Sequence, residues 1–222
     1  KDRDEIEDIA KRLTDHEKEK NFMNLSPALS PDGSRIAVLS DRLGYTDIYL
    51  MDAIDGTELK RLVKGNRSLD FEELKFLQPG ISWAPDNERI VFAAKSGEQD
   101  ALYILNVKTL NREKIPFDLD GIFSAAWNPV KNQIAFVGNH KSASDIYIYD
   151  LDSQSLTNLT NDLFADLEPS WNQNGTELAF VSSRGDQYQS DRLGMKDTDF
   201  SMATHDYGQR DIYTLNIASG TI

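Results

Sequence analysis

SPALSPDGSRIAVLSDRLGYTDIY (Ser26–Tyr49) is said again three times further along the chain. The second copy is GISWAPDNERIVFAAKSGEQDALY (Gly80–Tyr103) and the third is SAAWNPVKNQIAFVGNHKSASDIY (Ser124–Tyr147). The fourth opens as EPSWNQNGTELAFVSSRG at Glu168 and reaches its own DIY only at Asp211–Tyr213. Leu29, Trp83, Trp127 and Trp171 hold one repeat position, spaced 54, 44 and 44 residues, and Tyr49, Tyr103 and Tyr147 each follow it by 20. A period in the forties, with four short strand-like segments per unit, predicts the blades of a β-propeller. The fold class read from the sequence is therefore all-β, with four blades of four-stranded antiparallel sheet at about 25–63, 79–117, 122–160 and 166–222, after an N-terminal segment, 1–24.

Within the first repeat, Pro27–Ser30 reads as the innermost strand, a. Pro31-Asp32-Gly33-Ser34 is a tight turn: proline pre-sets φ, aspartate bonds its own backbone, and glycine tolerates positive φ. Arg35–Ser40 follows as strand b, Asp47–Asp52 as strand c and Thr57–Val63 as strand d. Such a sheet cannot bury both faces alone, so each must stack on its neighbours. The tryptophans, each able to bury about 150–250 Å², read as interblade contacts.

Two segments break the period. Residues 64–78 lengthen the first connection, and Phe71, Leu74 and Leu77 at a spacing of three predict one or two helical turns there. Some 22 extra residues lie between Arg184 and Asp211. Near the start, Ile6, Ile9 and Leu13 suit a short amphipathic helix, while the likeness of Arg12-Leu13-Thr14-Asp15 to Asn158-Leu159-Thr160-Asn161 favours an outermost strand at 9–14. Gly220-Thr221 matches Gly56-Thr57, so the fourth repeat stops short of its strand d. Either residues 9–14 supply that strand and close a ring, or the chain is part of a longer propeller; the second reading is preferred.

The 222 residues carry 24 basic and 37 acidic side chains, a net charge of −13, which argues against a nucleic-acid backbone or an anionic membrane as partner. There is no cysteine, so thiol chemistry and Cys-ligated zinc are out. No apolar run approaches the roughly 18 residues that span a bilayer, and KDRDEIEDIA does not read as a secretory leader.

Ser30–Val38 (SPDGSRIAV), Ser40-Asp41-Arg42 and Asp47-Ile48-Tyr49 resemble the TolB-like propeller repeat, P-x-W-S-P-D-G-x-x-I-A-F-x-S-x-R-x-G-x-x-D-I-Y ending in L-T. The resemblance covers most of 26–222. Repeat one departs with Leu29 for Trp, repeat two with Leu102-Tyr103 after Asp100-Ala101, and repeat three has lost the SPDG turn and the arginine. The resemblance implies a bacterial, periplasmic or exported propeller that binds proteins or peptides and is not itself an enzyme. It also implies an alternative, the substrate-gating propeller domain of a larger exported peptidase. A plain scaffold is the third reading.

Catalytic constellations are missing. His16-Glu17-Lys18-Glu19-Lys20 has lysine where H-E-x-x-H needs its second imidazole. No G-x-S-x-G elbow occurs, and His16, His140 and His205 fall in separate polar loops. No cofactor is expected, although two acidic groupings leave room for calcium: Asp197-x-Asp199-x-Ser201, which lacks the glycine and glutamate of a full loop, and Asp145 with Asp150 and Asp152. Arg42 with Asp47 recurs as Arg184 with Asp211, which predicts an ion pair or loop hydrogen bond that fixes the b–c connection, or arginines presented to a carboxylate. Alternating strand direction puts b–c loops and the connections into strand a on one face, together with both insertions. The partner-binding candidates on that face are Arg42, Tyr45, Arg184, Asp186, Tyr188, His205 and Tyr207. A protein or peptide partner, with oligomers or further blades allowed and no membrane insertion, completes the expectation.

Overall fold

The computed structural model describes residues 11–15, 22–65, 73–75, 80–97, 99–141, 143–184, 208, 210–220 and 222, and no helix occurs among them. The first sheet runs β1 (Asn24–Leu29), β2 (Arg35–Ser40), β3 (Asp47–Asp52), β4 (Glu58–Val63), in that spatial order and antiparallel. The second holds β5 (Glu73–Leu74), β6 (Ile81–Trp83), β7 (Arg89–Ser96), β8 (Gln99–Asn106) and β9 (Arg112–Pro116). The third is β10 (Gly121–Trp127), β11 (Gln133–His140), β12 (Ala143–Asp150) and β13 (Ser155–Asn158). The fourth is β14 (Asp166–Trp171), β15 (Glu177–Ser182) and β16 (Asp211–Asn216). Each is a propeller blade with the repeat's tryptophan position on its innermost strand.

Three local expectations are corrected. Residues 73–74 are not helical: β5 pairs with the far half of β7 (Glu73 opposite Lys95) and β6 with the near half (Trp83 opposite Ile90), so the inner strand of blade two is split in two. Residues 11–15 are not a strand and do not complete blade four. They lie against the c–d turn of blade one, where Lys11 Nζ donates to Ile54 O at 2.7 Å and any side chain at Gly56 would strike the Leu13 carbonyl. Strand a of blade one begins at Asn24, ahead of Pro27, because a β-bulge between Leu25 and Ala28 frees the proline from the ladder.

The same bulge recurs between Phe123 and Ala126 and between Leu167 and Ser170. At its centre Ser26, Ser124 and Glu168 take left-handed backbone, with φ of 50°, 52° and 56°. The a–b turn is closed from within: Asp32 Oδ1 accepts from Ser30 Oγ (2.6 Å), Ser34 N (3.0 Å) and Ser34 Oγ (2.8 Å). Those bonds, the Ser30 hydroxyl first, hold the Asp32 carboxyl down to about 2.

Three cores lie between blades rather than inside them. Ala37, Leu39, Ile48 and Leu50 of blade one meet Ile90, Phe92, Tyr103 and Leu105 of blade two. Val91, Ala93, Leu102 and Ile104 meet Ile134, Phe136 and Tyr147. Ala135, Val137, Ile146 and Ile148 meet Leu178, Phe180 and Leu215. The inner tryptophan reaches back across each junction. Trp83 Nε1 donates to Ala28 O (2.8 Å) and Trp171 Nε1 to Ala126 O (3.0 Å), while Arg35 and Arg89 of the preceding blades lie 5.3 and 4.9 Å over Trp83 and Trp127. Trp127 Nε1 has no hydrogen-bond partner among the described residues. Exchanging Trp83 for Phe is therefore expected to cost about 1 kcal/mol more than exchanging Trp127 for Phe, one net hydrogen bond, readable as a Tm difference of about 2–4 °C. Equal losses would mean that the backward bond contributes nothing.

Candidate functional site

The innermost strands enclose a groove of about 700 Å³, lined among others by Ser26, Gly80, Ser82, Trp127, Glu168 and Trp171. Two of the bulges contribute to its wall, with Ser26 and Glu168 in the lining. Glu168 is the one charged side chain among the described residues of the lining. Toward the a–b turns the groove reaches Pro129 and Gln173, the end opposite the insertions.

On the insertion face the two arginines singled out by the repeat are built in alike. Arg42 Nε donates to Ser40 Oγ (3.3 Å) and Arg184 Nε to Ser182 Oγ (2.9 Å). Each guanidinium lies over the tyrosine of its own DIY, Arg42 4.4 Å from the Tyr49 centroid and Arg184 5.4 Å from that of Tyr213. Each reaches the first residue of its own strand a: Arg42 Nη2 bonds Asn24 Oδ1 (3.3 Å), and Arg184 Nη2 bonds both oxygens of Asp166 (2.9 and 2.8 Å). The predicted pairings are corrected. Arg42 pairs with Glu58 (2.8 Å), and Arg184 with Asp166 (2.8 Å) and Asp162 (3.0 Å), in place of Asp47 and Asp211. With side chains 13% and 1% exposed, both arginines are structural clamps rather than free carboxylate receptors.

The motif aspartates do another task. Asp47 Oδ1 accepts from Gly65 N (2.8 Å) and Asp145 Oδ1 from Asp162 N (3.3 Å), so each fastens the chain leaving strand d. Tyr45 sits beside a small pocket of about 290 Å³ with Leu43, Asp47, Arg61 and Lys64. Asp186, Tyr188, His205 and Tyr207, with Asp197, Asp199, Ser201 and His16, lie outside the described residues.

The acidic grouping read from sequence is also rearranged. Asp150 caps the c–d turn, accepting from Ser153 N (2.8 Å) and Asp152 N (3.1 Å), and Asp145 stands at the far end of the same strand. Asp145 instead meets Asp162 and Asp166, with carboxylate oxygens within 4.8 Å of one another. Burial pushes the Asp162 carboxyl up to about 6 against the pull of Arg184, and burial likewise raises Asp166. Sequence reading missed Asp162 and Asp166. Their only signal was that Asp166 stands where the other blades have Asn24 and Ile122.

Residues 75–213, more than half of the chain, match the sequence family described as the TolB beta propeller domain. The chain belongs to that family. Among solved structures it is similar to TolB from Acinetobacter baumannii (21% identity, TM-score 0.65, covering 90% of this chain and 42% of that one). It is also similar to a putative TolB from Agrobacterium tumefaciens (17%, TM-score 0.65, 88% and 62%). A chain of a nidogen/laminin complex shares the fold at 10% identity and TM-score 0.56, over 72% of this chain and 57% of that one. This TolB-like domain thus spans 42% and 62% of the two TolB chains it matches.

Proposed function

We propose that this TolB-like propeller is a protein- or peptide-binding module of a bacterial periplasmic or exported protein, with no catalytic role of its own. The observation that carries this reading is the groove between the inner strands. It is open, walled by backbone held in strained left-handed conformations, and furnished with indole and proline surfaces. Strain of this kind concentrates where a scaffold presents a binding surface, and a concave wall that mixes indole and proline surfaces with serine hydroxyls suits an extended segment. The carboxylate of Glu168 and the overall charge of −13 favour a basic segment or a free amino terminus. The insertion face, with Tyr45 and the 64–78 and 185–210 segments, is the second contact surface.

Selection of displayed peptides on the immobilised chain tests this. Enriched peptides are expected to be basic, and Glu168→Arg, which reverses an exposed charge of the groove, is expected to weaken them several-fold and more at low salt. Loss on Tyr45→Ala with Glu168→Arg unaffected would move the site to the insertion face. No enrichment above an unrelated propeller would sink the binding reading.

A further inference from the structure

Three aspartates from three segments converge where blade three meets blade four. Asp145 lies on β12, Asp162 in the connection that follows β13, and Asp166 opens β14; the first and last are 3% and 0% exposed and the Asp162 side chain 6%. Arg184 is the described cation in contact with Asp162 and Asp166, and no described cation pairs with Asp145, so the described side chains leave the cluster with more acidic groups than cations. Such a deficit is costly in a low-dielectric site.

The hydrogen bonding is incomplete at the same place. Asp145 is satisfied by Asn158 Nδ2 (2.9 Å), Thr160 Oγ1 (3.4 Å) and Asp162 N (3.3 Å). Asp162 is not: Oδ1 takes Phe164 N (2.8 Å), but Oδ2 accepts no hydrogen bond among the described residues, only the ion-pair approach of Arg184 at 3.0 Å. Arg184 Nη1, equally buried, donates to nothing described. A cluster complete in itself would leave neither atom over.

We propose that Asp145, Asp162 and Asp166 bind a divalent cation of the calcium type. All the donors are hard oxygens, which exclude soft-metal chemistry and suit calcium or magnesium. Calcium–oxygen bonds of about 2.3–2.6 Å place opposed ligands ~5 Å apart, whereas magnesium would require ~4 Å and a near-ideal octahedron. The three carboxylates lie close enough together to share one ion, and calcium, which tolerates an irregular oxygen cage, suits them better than magnesium, which keeps its waters and its octahedron. The ion offsets the surplus negative charge, gives Asp162 Oδ2 a ligand bond beside its ion pair with Arg184, and brings hydration water that Arg184 Nη1 can donate to. It thereby ties blade three, the connection and blade four together, at the root of the 185–210 insertion.

Calorimetric titration of the chelator-treated chain with calcium chloride, with magnesium chloride and sodium chloride as matched controls, tests the proposal. One saturable calcium site is expected, with a Kd of about 10⁻⁴–10⁻³ M, the range of extracellular modules, and a Tm that rises with calcium more than with magnesium. Asp162→Asn keeps the acceptor for Phe164 N and is expected to weaken binding at least about tenfold, while Asp150→Asn at the distant turn leaves it unchanged. No saturable heat up to ~10 mM calcium, well above that range, overturns the proposal, as does unchanged binding by a folded Asp162→Asn. If that variant loses its circular dichroism signal, terbium binding by the parent chain decides: displacement by calcium supports the site and its absence overturns it.

Discussion

Replacing Arg184 with methionine is expected to cost about 3–5 kcal/mol, the loss that follows when one partner of a buried charge group is removed. For a domain of this size that is a fall in Tm of roughly 6–20 °C, measurable by circular dichroism or calorimetry. Methionine preserves much of the side-chain volume and keeps apolar contact with Phe180 and Tyr213, whose rings lie 5.2 and 5.4 Å from the guanidinium carbon. What it removes is the only described cation facing Asp162 and Asp166. The double variant Arg184→Met with Asp166→Asn should recover part of the loss, since it also removes one of the stranded charges. A single-variant loss below about 1 kcal/mol would show that this cluster behaves like a surface pair.

Ile146 and Ile212 occupy one repeat position on strand c, yet truncating them to alanine is expected to differ by about 2–5 kcal/mol. Ile146 is 1% exposed in the core between blades three and four, whereas Ile212 is 80% exposed. Ile48 and Leu102, at the same position in blades one and two, are fully buried. The difference is made by the neighbour: the face of blade four that carries Ile212 has no described blade against it. Ile212→Ala should therefore leave the unfolding free energy read from denaturant titration within about 0.5 kcal/mol of the parent. A large loss at Ile212 would mean that this face is covered in solution, by a second copy of the chain or by its own undescribed residues, and a concentration-dependent Tm would separate the two.

How much of this was legible in the sequence follows from where the information sits. Arg35–Ser40 and Asp47–Asp52 were legible to the residue, because an apolar run bounded by a turn motif and a polar loop specifies a doubly covered strand locally. The start of strand a was not, because Pro27 reads as a stop unless the bulge that accommodates it is known. The split inner strand of blade two was hidden for a related reason: Phe71, Leu74 and Leu77 fit a helical spacing, but β7 offers an open edge that Glu73 and Leu74 fill.

The candidate site was half legible. The serine–x–arginine pattern announced that Arg42 and Arg184 act alike, and their identical bonding to Ser40 and Ser182 agrees. Their acidic partners were not legible, since Glu58 arrives from strand d and Asp166 from strand a. Those neighbours are set by the lateral order of the sheet and not by spacing along the chain. The groove was invisible, because part of its wall is formed by bulges that no motif encodes.

The backward reach of the tryptophans also bears on how such chains can be recombined. Because the indole of one blade bonds the backbone of the blade before it, the visible sheet is not the modular part of this protein. The transferable piece is the seam, made of the outgoing face of one sheet and the incoming face of the next. Chimeras cut in the loops between sheets would pair strangers at every seam. Cuts placed between strands b and c would split each sheet but move its inner tryptophan strand away from the face it must greet. A swap that carries two consecutive blades keeps one native seam intact and exposes two foreign ones, so longer blocks lose proportionately less. Shuffling single blades among relatives is the least forgiving way to rebuild such a propeller.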